Sequence, residues 1–500
     1  MAPDTSRTIF EPGRNCWQVA RAHRASLIVD AGDYYHVIRE AMAKAQRRIL
    51  VIGWDFDTRI SLEPLEQGEQ ENLGGFFLRL IRSAKSLEIY VLKWSFGAKK
   101  QFLKPRAAWL LWKWYRTRQI DFKFDAAHPP GCSHHQKIVV IDDSMAICGG
   151  IDIAANRWDT TRHHDEEKGR VNPDGKAYGP WHDLTFAMQG PVAQVLGDLG
   201  RDRWGIAGGG ELVKVSGAKA DCWPEDLAID FTDVDIAISR TRAAWQDVAE
   251  VREIEELWLD MIGAARLMVY IENQYLTSAK IAAAIAKRME EPDPPEIVMV
   301  MPRKADGWLE QRAMDAARVQ LARMVGKVDR LDRFRIYVPV TEQGTDIYVH
   351  AKIAIVDDRI LRVGSANLNN RSFGLDSECD VTIDTALPAN TGKEGQIAAL
   401  RTRLISEHLD VAADAVTGKL AETGSLIATI ESLRGEGKTL ELLDLEKPGP
   451  FDCFIADNEL LDPEHPDKFL EPISQRGLRK TWAEGLRKVR GTGWRRRDRT

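Results

Sequence analysis

"HQKIVVIDDSMAICGGID" (135–152) can be laid over "HAKIAIVDDRILRVGSAN" (350–367) without a gap. His135 meets His350, Lys137 meets Lys352, Asp142 meets Asp357, Asp143 meets Asp358 and Gly149 meets Gly364, all at one constant offset. Of the 11 histidines only these two have a lysine two places later, so His135 is in register with the repeat and its neighbour His134 is not. Self-similarity at a fixed offset marks a duplicated unit, and the fold has to be read from it.

The correspondence extends upstream. "AQRRILVIGWDFD" (45–57) resembles "GAARLMVYIENQYL" (263–276), "LEIYVLKWSFG" (87–97) parallels "PEIVMVMPRKADG" (295–307), and "IDFKFD" (120–125) parallels "FRIYVP" (334–339). Each is a short run of β-branched and apolar residues, and helical patterns such as 34–46 and 307–328 lie between them. Strands alternating with helices predict a mixed or parallel sheet covered on both faces. The expected fold class is α/β: tandem α/β/α sandwiches related by a pseudo-twofold axis, with a site at their interface. The expected units are residues 1–215, 235–415 and a C-terminal cap with a basic tail, 416–500. "GIAGGG" (205–210) lies near the first boundary, residues 416–445 read as helical, and "DPEHPDKFLEP" (462–472) reads as irregular.

Side chains alternate along a strand, so His135 and Lys137 share a face, as do His350 and Lys352. The "IVVI" that follows (138–141) is apolar on both faces, which predicts a central strand carrying reactive groups at its start. The glycine turns beyond, GG at 149–150 and GSAN at 364–367, are expected to let backbone approach a ligand and to supply amide donors. Two lysines, such amides, Ser365 and Asn367 suit a phosphate. One half alone has a nucleophile without an acid. Two halves bring two imidazoles to one phosphorus, one to attack and one to protonate the departing oxygen. Histidine, with an ordinary pKa of about 6.5, can fill either role near neutrality. Each ring then needs a carboxylate on its far nitrogen. Asp183 in "PWHDLTF" (180–186) and Glu378 in "GLDSECDV" (374–381) are the expected orienting pair.

A chain of 500 residues exceeds one ordinary core, and a net charge of −6 provides no global footprint for nucleic acid. No run reaches the ~18 apolar residues of a membrane span. The start lacks an apolar core with a small-residue cleavage site. A soluble chain with at most peripheral bilayer contact is therefore expected, cytoplasmic or exported without a cleaved signal. Six cysteines (16, 132, 148, 222, 379 and 453) show no CxxC and read as packed free thiols. "AAWLLWKWYRTRQ" (107–119) sets Trp109, Trp112, Trp114 and Tyr115 among Lys113, Arg116 and Arg118. That mixture suits a bilayer interface and equally an amphipathic helix packed on its own sheet. The basic tail 477–500 reads as a solvated helix, with anionic headgroups as the sharper alternative. Residues 157–183 form a long polar excursion, expected to wall the site's entrance. His163 and His164 in it, beside Asp165, Glu166 and Glu167, are read as a solvated face rather than metal ligands.

The residues resemble the phospholipase D superfamily, whose signature is H-x-K-x4-D followed by a glycine turn, twice per site. The likeness runs from "VIGWDFD" (51–57) to about residue 415. "HHQKIVVIDDSMAICGGIDIAANRWD" (134–159), "GPWHDL" (179–184), "GPVAQVL" (190–196), "YIENQYL" (270–276) and "GSANLNNRS" (364–372) are most similar to eukaryotic-type phospholipases D. The resemblance implies a catalytic set of His135, Lys137, Asp142, His350, Lys352 and Asp357. In it His135 forms a phosphohistidine, His350 serves as acid and then base, the lysines hold phosphoryl oxygens, and the aspartates brace strand and loop. Gly149, Gly150, Asn273, Ser365 and Asn367 are expected to bind substrate. The implied activity is cleavage of a glycerophospholipid to phosphatidic acid and a head-group alcohol, with a primary alcohol able to replace water. Neither a metal nor a cofactor is expected. The expected partners are a phospholipid bilayer surface and the acceptor, with no nucleic acid, and the chain is expected to be a monomer. A nuclease, a cardiolipin or phosphatidyl transferase and a non-catalytic lipid-binding scaffold are the competing readings.

Overall fold

A computed structural model of the chain describes residues 7–63, 71–95, 105–218, 220–304, 308–444 and 462. In chain order its strands are β1 Gln18–Val29, β2 Arg48–Gly53, β3 Glu88–Trp94, β4 Ile120–Asp125, β5 Ile138–Ile141, β6 Met145–Gly149, β7 Trp181–His182, β8 Leu184–Gln189 and β9 Phe231–Arg242. There follow β10 Val251–Arg252, β11 Met268–Glu272, β12 Glu296–Val300, β13 Phe334–Val340, β14 Tyr348–Val349, β15 Ile353–Val356, β16 Ile360–Gly364, β17 Glu378–Asp384 and β18 Thr439–Leu442.

All but β7 and β14 join one sheet, in the order β18-β13-β12-β11-β15-β16-β17-β9-β1-β8-β6-β5-β2-β3-β4, with β10 beside β9. Apart from β18, that order reads the same from either end once the duplicated strands are equated. The pseudo-twofold axis therefore passes between β1 and β9, which pair antiparallel through Ala20–Ile236 and Ala22–Val234. The two expected sandwiches are real, but they share one sheet rather than meeting as separate ones. Neither central strand was foreseen. β1 carries charge at Arg21, His23 and Arg24 on its outer half, which breaks the apolar signal.

Burial on both faces follows from alternation in the short strands. Leu50, Ile52, Ile138 and Val140 belong to an apolar core that runs through both repeats. Their neighbours Ile49, Val51, Val139 and Ile141 pack into a second core under the first repeat, and Val269, Ile271, Ala354 and Val356 into a third under the second. Helices Asp30–Ala43 and Trp308–Val328 fall where the periodicity predicts them. The C-terminal part departs from expectation. Residues 413–433 are helical, but Thr439–Leu442 is a strand that extends the sheet beside β13. The basic tail lies outside the described residues, as does Cys453. The other cysteines are buried and unpaired.

The last letter of each motif has a local task. Asp142 and Asp357 stand in left-handed backbone (φ 53° and 51°) at the β5–β6 and β15–β16 turns. The Asp142 carboxylate accepts the N–H groups of Gln46, Arg47 and Arg48 at 2.7–2.8 Å, and Asp357 accepts those of Arg266, Leu267 and Met268 at 2.6–2.8 Å. Both hold the start of the neighbouring strand, at the opposite end of the β-strand from the histidine. Asp142→Ala is expected to leave these donors without an acceptor and to cost about 2–4 kcal/mol. Thermal unfolding should show this as a lower Tm, with Asp142→Asn intermediate.

Candidate active site

Each histidine-lysine pair sits just ahead of its central strand, and there the chain crosses to the other repeat. The His135 N–H donates to the Ser377 carbonyl at 2.9 Å, and the His350 N–H to the His182 carbonyl at 2.7 Å. β7 and β14 pair in parallel at the same crossing, Tyr348 with Trp181 and Val349 with His182. In β6–β8 Gly149 faces Thr185, and in β16–β17 Gly364 faces Asp380. Asp183 and Glu378, each two residues earlier, are therefore equivalent.

The crossing exchanges these carboxylates. His135 Nδ1 is 3.0 Å from both oxygens of Glu378, in the second repeat, and His350 Nδ1 is 2.7 Å from Asp183 Oδ2, in the first. An ionised carboxylate can only accept, so with these acids ionised each ring holds its proton on Nδ1 and turns Nε2 to the site. Glu378 is fixed in turn by the hydroxyls of Ser365 (2.5 Å) and Ser372 (2.7 Å), and Asp183 by the Leu184 N–H (2.8 Å).

Lys137 Nζ donates to the His135 carbonyl at 3.0 Å and lies 3.3 Å from Asp152 Oδ2. Lys352 Nζ donates to the His350 carbonyl. Burial, then the charges of Lys137 and Lys352, hold the His135 pKa well below its ordinary value. His350 is lowered in the same way, by burial and then by Lys352, Arg157 and Lys137. Each imidazole thus feels the lysine of the other repeat. Burial pushes Asp183 and Glu378 up to about 7 against the pull of the lysines, and pushes Lys352 down to about 7. Aromatic rings flank both histidines: Trp54 meets His135 edge-on at 6.2 Å, and Trp181 lies 5.1 Å from His350 under the Arg157 guanidinium.

The glycine turns require correction. The Gly149 and Gly150 N–H groups are spent on the carbonyls of Lys137 and Leu184, not left for a ligand. A Cβ at Gly150 would collide with the Asp183 carboxylate, and one at Gly364 with that of Asp380. The glycines make room for the protein's own acids. Ser365 likewise binds Glu378 and not the open site, and Asn273 Oδ1 braces the Leu368 and Tyr275 N–H groups at 3.1 Å. Among the described residues Asn273 Nδ2 and Asn367 Oδ1 find no hydrogen-bond partner.

His134 points away, its Nδ1 2.7 Å from the Ser377 hydroxyl, and burial lowers its pKa to about 3. The loop reading fails for His163, which is fully buried against Asp159 at 3.0 Å, while His164 is exposed. Sequence reasoning passed over Arg157, Ser372 and Asp152. Asp152 had a signal, because it falls opposite Asn367 in the self-alignment.

Residues 332–421 match the family model described as Phospholipase D. The chain is 25% identical over 463 residues to phospholipase D A of Dictyostelium discoideum, covering 77% of this chain and 35% of that protein. This chain is similar to the phospholipases D. It is also 23% identical over 519 residues to phospholipase D alpha 1 of Zea mays, covering 75% of this chain and 63% of that one. It thus spans about a third of the first relative's length and under two thirds of the second's. Among solved structures, phosphatidylserine synthase of Haemophilus influenzae has a similar fold, with a TM-score of 0.54 at 13% identity over 84% of this chain and 96% of that one.

Proposed function

We propose that this protein is a phospholipase D that cleaves the head-group phosphodiester of glycerophospholipids through a phosphohistidine. The observation that carries the reading is the crossed pair of carboxylate-held imidazoles, each flanked by a buried lysine. In the first step His135 Nε2 bonds to phosphorus, the P–O bond to the head group breaks, and His350 Nε2–H protonates the leaving oxygen. In the second, His350 takes a proton from water or a primary alcohol as its oxygen attacks phosphorus and the N–P bond breaks. The products are phosphatidic acid or a transphosphatidylated lipid, and free head-group alcohol. The substrate phosphate brings negative charge between Lys137 and Lys352, which raises the proton affinity of His350 for its acid role and stabilises the equatorial oxygens.

Release of choline and phosphatidic acid from phosphatidylcholine vesicles, with phosphatidylethanol formed in ethanol, is the expected result. Cleavage of single-stranded DNA with no lipid turnover would sink the reading. A trapped phosphopeptide containing His135 tests the nucleophile.

The pH profile should be a narrow bell near 7. Below about 7 Asp183 and Glu378 take up protons and lose their pull on Nδ1–H, and above about 7 Lys352 loses its charge. Lys352→Arg should move the alkaline limb upward, because guanidinium keeps its proton, at a reduced peak rate.

Docking on lipid is proposed for helix Pro105–Tyr115. Its Trp114 is buried, stacked on Phe77, whereas Trp109, Trp112 and Tyr115 are exposed beside cations, with Lys113 Nζ 3.4 Å from the Trp109 ring centroid. Rings beside cations match the headgroup region. Among the described residues no helix is long and apolar enough to cross a membrane. W109A/W112A is expected to lower vesicle binding in a co-sedimentation assay severalfold, while turnover of a short-chain monomeric lipid stays unchanged.

A further inference from the structure

Beside the site lies a group of side chains the reaction does not use. Asp30 begins the helix Asp30–Ala43, His163 belongs to the loop before β7, His182 ends β7, and Glu407 comes from the helix Glu394–Leu409 of the second repeat. His163 Nε2 stands 3.3 Å from Asp30 Oδ2 and 3.2 Å from Glu407 Oε1. His182 Nδ1 stands 3.2 Å from Asp30 Oδ1 and 3.2 Å from Glu407 Oε1. We propose that these four residues bind one divalent transition-metal ion, zinc in the first instance, as a structural clamp between the two repeats.

Three observations carry this. The first is spacing. A tetrahedral zinc with bonds of about 2.0–2.1 Å separates neighbouring donor atoms by about 3.3–3.4 Å, and the nitrogen–oxygen distances around this group fall close to that value. The second is the state of the donor atoms. Among the described residues Asp30 Oδ2 and His182 Nδ1 make no well-aligned hydrogen bond, only contacts of 3.2–3.3 Å within the group, although Asp30 is 1% and His182 0% exposed. Buried polar atoms almost always have one, and a cation between them supplies it. The third is the surrounding shell. Each histidine turns its other nitrogen to a buried carboxylate: His163 Nδ1 to Asp159 at 3.0 Å, His182 Nε2 to Glu272 at 2.8 Å. Those acids are themselves held, Asp159 by Arg170 and the Trp181 N–H, Glu272 by Tyr270 and His408. A carboxylate that fixes the far nitrogen is the usual support of a metal-bound imidazole, setting its tautomer and its aim.

Two carboxylates and two neutral imidazoles leave the bound dication electrically balanced, with all four positions filled by protein. A closed set of that kind is structural, and water activation needs an open position. The clamp sits next to the chemistry. Asp30 Oδ1 also accepts the Asp183 N–H at 3.1 Å, and His182 precedes Asp183 in the chain. Glu407 also lines a cavity of about 670 Å³ with Thr161, Arg162, Arg403 and Lys438.

The test is elemental analysis of the full chain, purified without a metal-affinity step from zinc-supplemented cells. About one zinc per chain is expected, retained in His23→Ala and lost in His163→Gln and Glu407→Gln. Asp159→Asn, which touches only the outer shell, should weaken zinc binding by roughly 10–100-fold. Cobalt loaded into the stripped protein should show the intense visible absorption of a four-coordinate ion, which does not depend on activity or on any variant folding. Less than a tenth of an ion per chain, with no rise in Tm on adding zinc, manganese or iron, overturns the proposal. One ion per chain that survives in both ligand variants overturns it equally, since the ion is then elsewhere.

Discussion

His135→Ala is expected to lower kcat/KM on phosphatidylcholine by roughly 10⁴–10⁶-fold, and H135A/H350A to be little worse than either change alone. In the proposed reaction the two imidazoles act on one phosphorus in one step, and groups that act as a unit are grossly non-additive. Because His135 is only part-buried and, among the described residues, its ring hydrogen-bonds to the Glu378 side chain alone, Tm should change little. Single-turnover measurements separate the roles. A variant lacking His350 should still form some phosphohistidine with a substrate whose leaving group needs no proton, such as a nitrophenyl phosphodiester. A variant lacking His135 should form none. Equal and additive losses of about tenfold per histidine would remove the shared-phosphorus model.

Glu378→Gln and Asp183→Asn are expected to lose roughly 10³–10⁴-fold in kcat with KM nearly unchanged. An amide keeps the shape but offers an N–H where Nδ1–H needs an acceptor, so the ring is left in the wrong tautomer. Stability should respond differently. Both acids have raised pKa values, about 7, because burial disfavours their ionised form. The folded state therefore holds these protons more tightly than the unfolded one. The resulting stabilisation is full below the unfolded value near 4 and is lost as pH rises through about 7. The amide variants should flatten that dependence and at pH 8 be no less stable than the parent. A variant that unfolds as it loses activity would mark these acids as structural only. The crossing adds a further expectation: Glu378→Gln should impair the phosphorylation of His135, in the other repeat, and leave the environment of His350 unaltered in histidine NMR spectra.

Much of this site was legible beforehand, for a physical reason. Strand geometry is local, with a period of two, so H-x-K ahead of "IVVI" already placed ring and ammonium on one face of a central strand. The constant offset between 135–152 and 350–367 implied two copies and a pseudo-twofold axis without any knowledge of packing. Asp183 and Glu378 were visible as acids at matching places after the glycine turns.

Their exchange was not legible. Glu378 orients a histidine 243 residues earlier, and Asp183 one 167 residues later. That choice is made where β7 meets β14, and nothing in the strand period favours the foreign partner over the native one. Tertiary structure also decided what the glycines are for. GG invites a ligand on paper, yet Asp183 fills the space a Cβ would need at Gly150. The same holds for His163, whose neighbours in sequence are the charged residues of a solvated loop. Its neighbours in space are Asp30, Asp159, His182 and Glu407, drawn from distant segments and buried together. Sequence by itself determined the duplicated sheet and the reactive pair at the head of each central strand, because those follow from spacing along one segment. Only the fold decided which acid serves which imidazole and which polar side chains are enclosed, because both depend on where the two repeats cross.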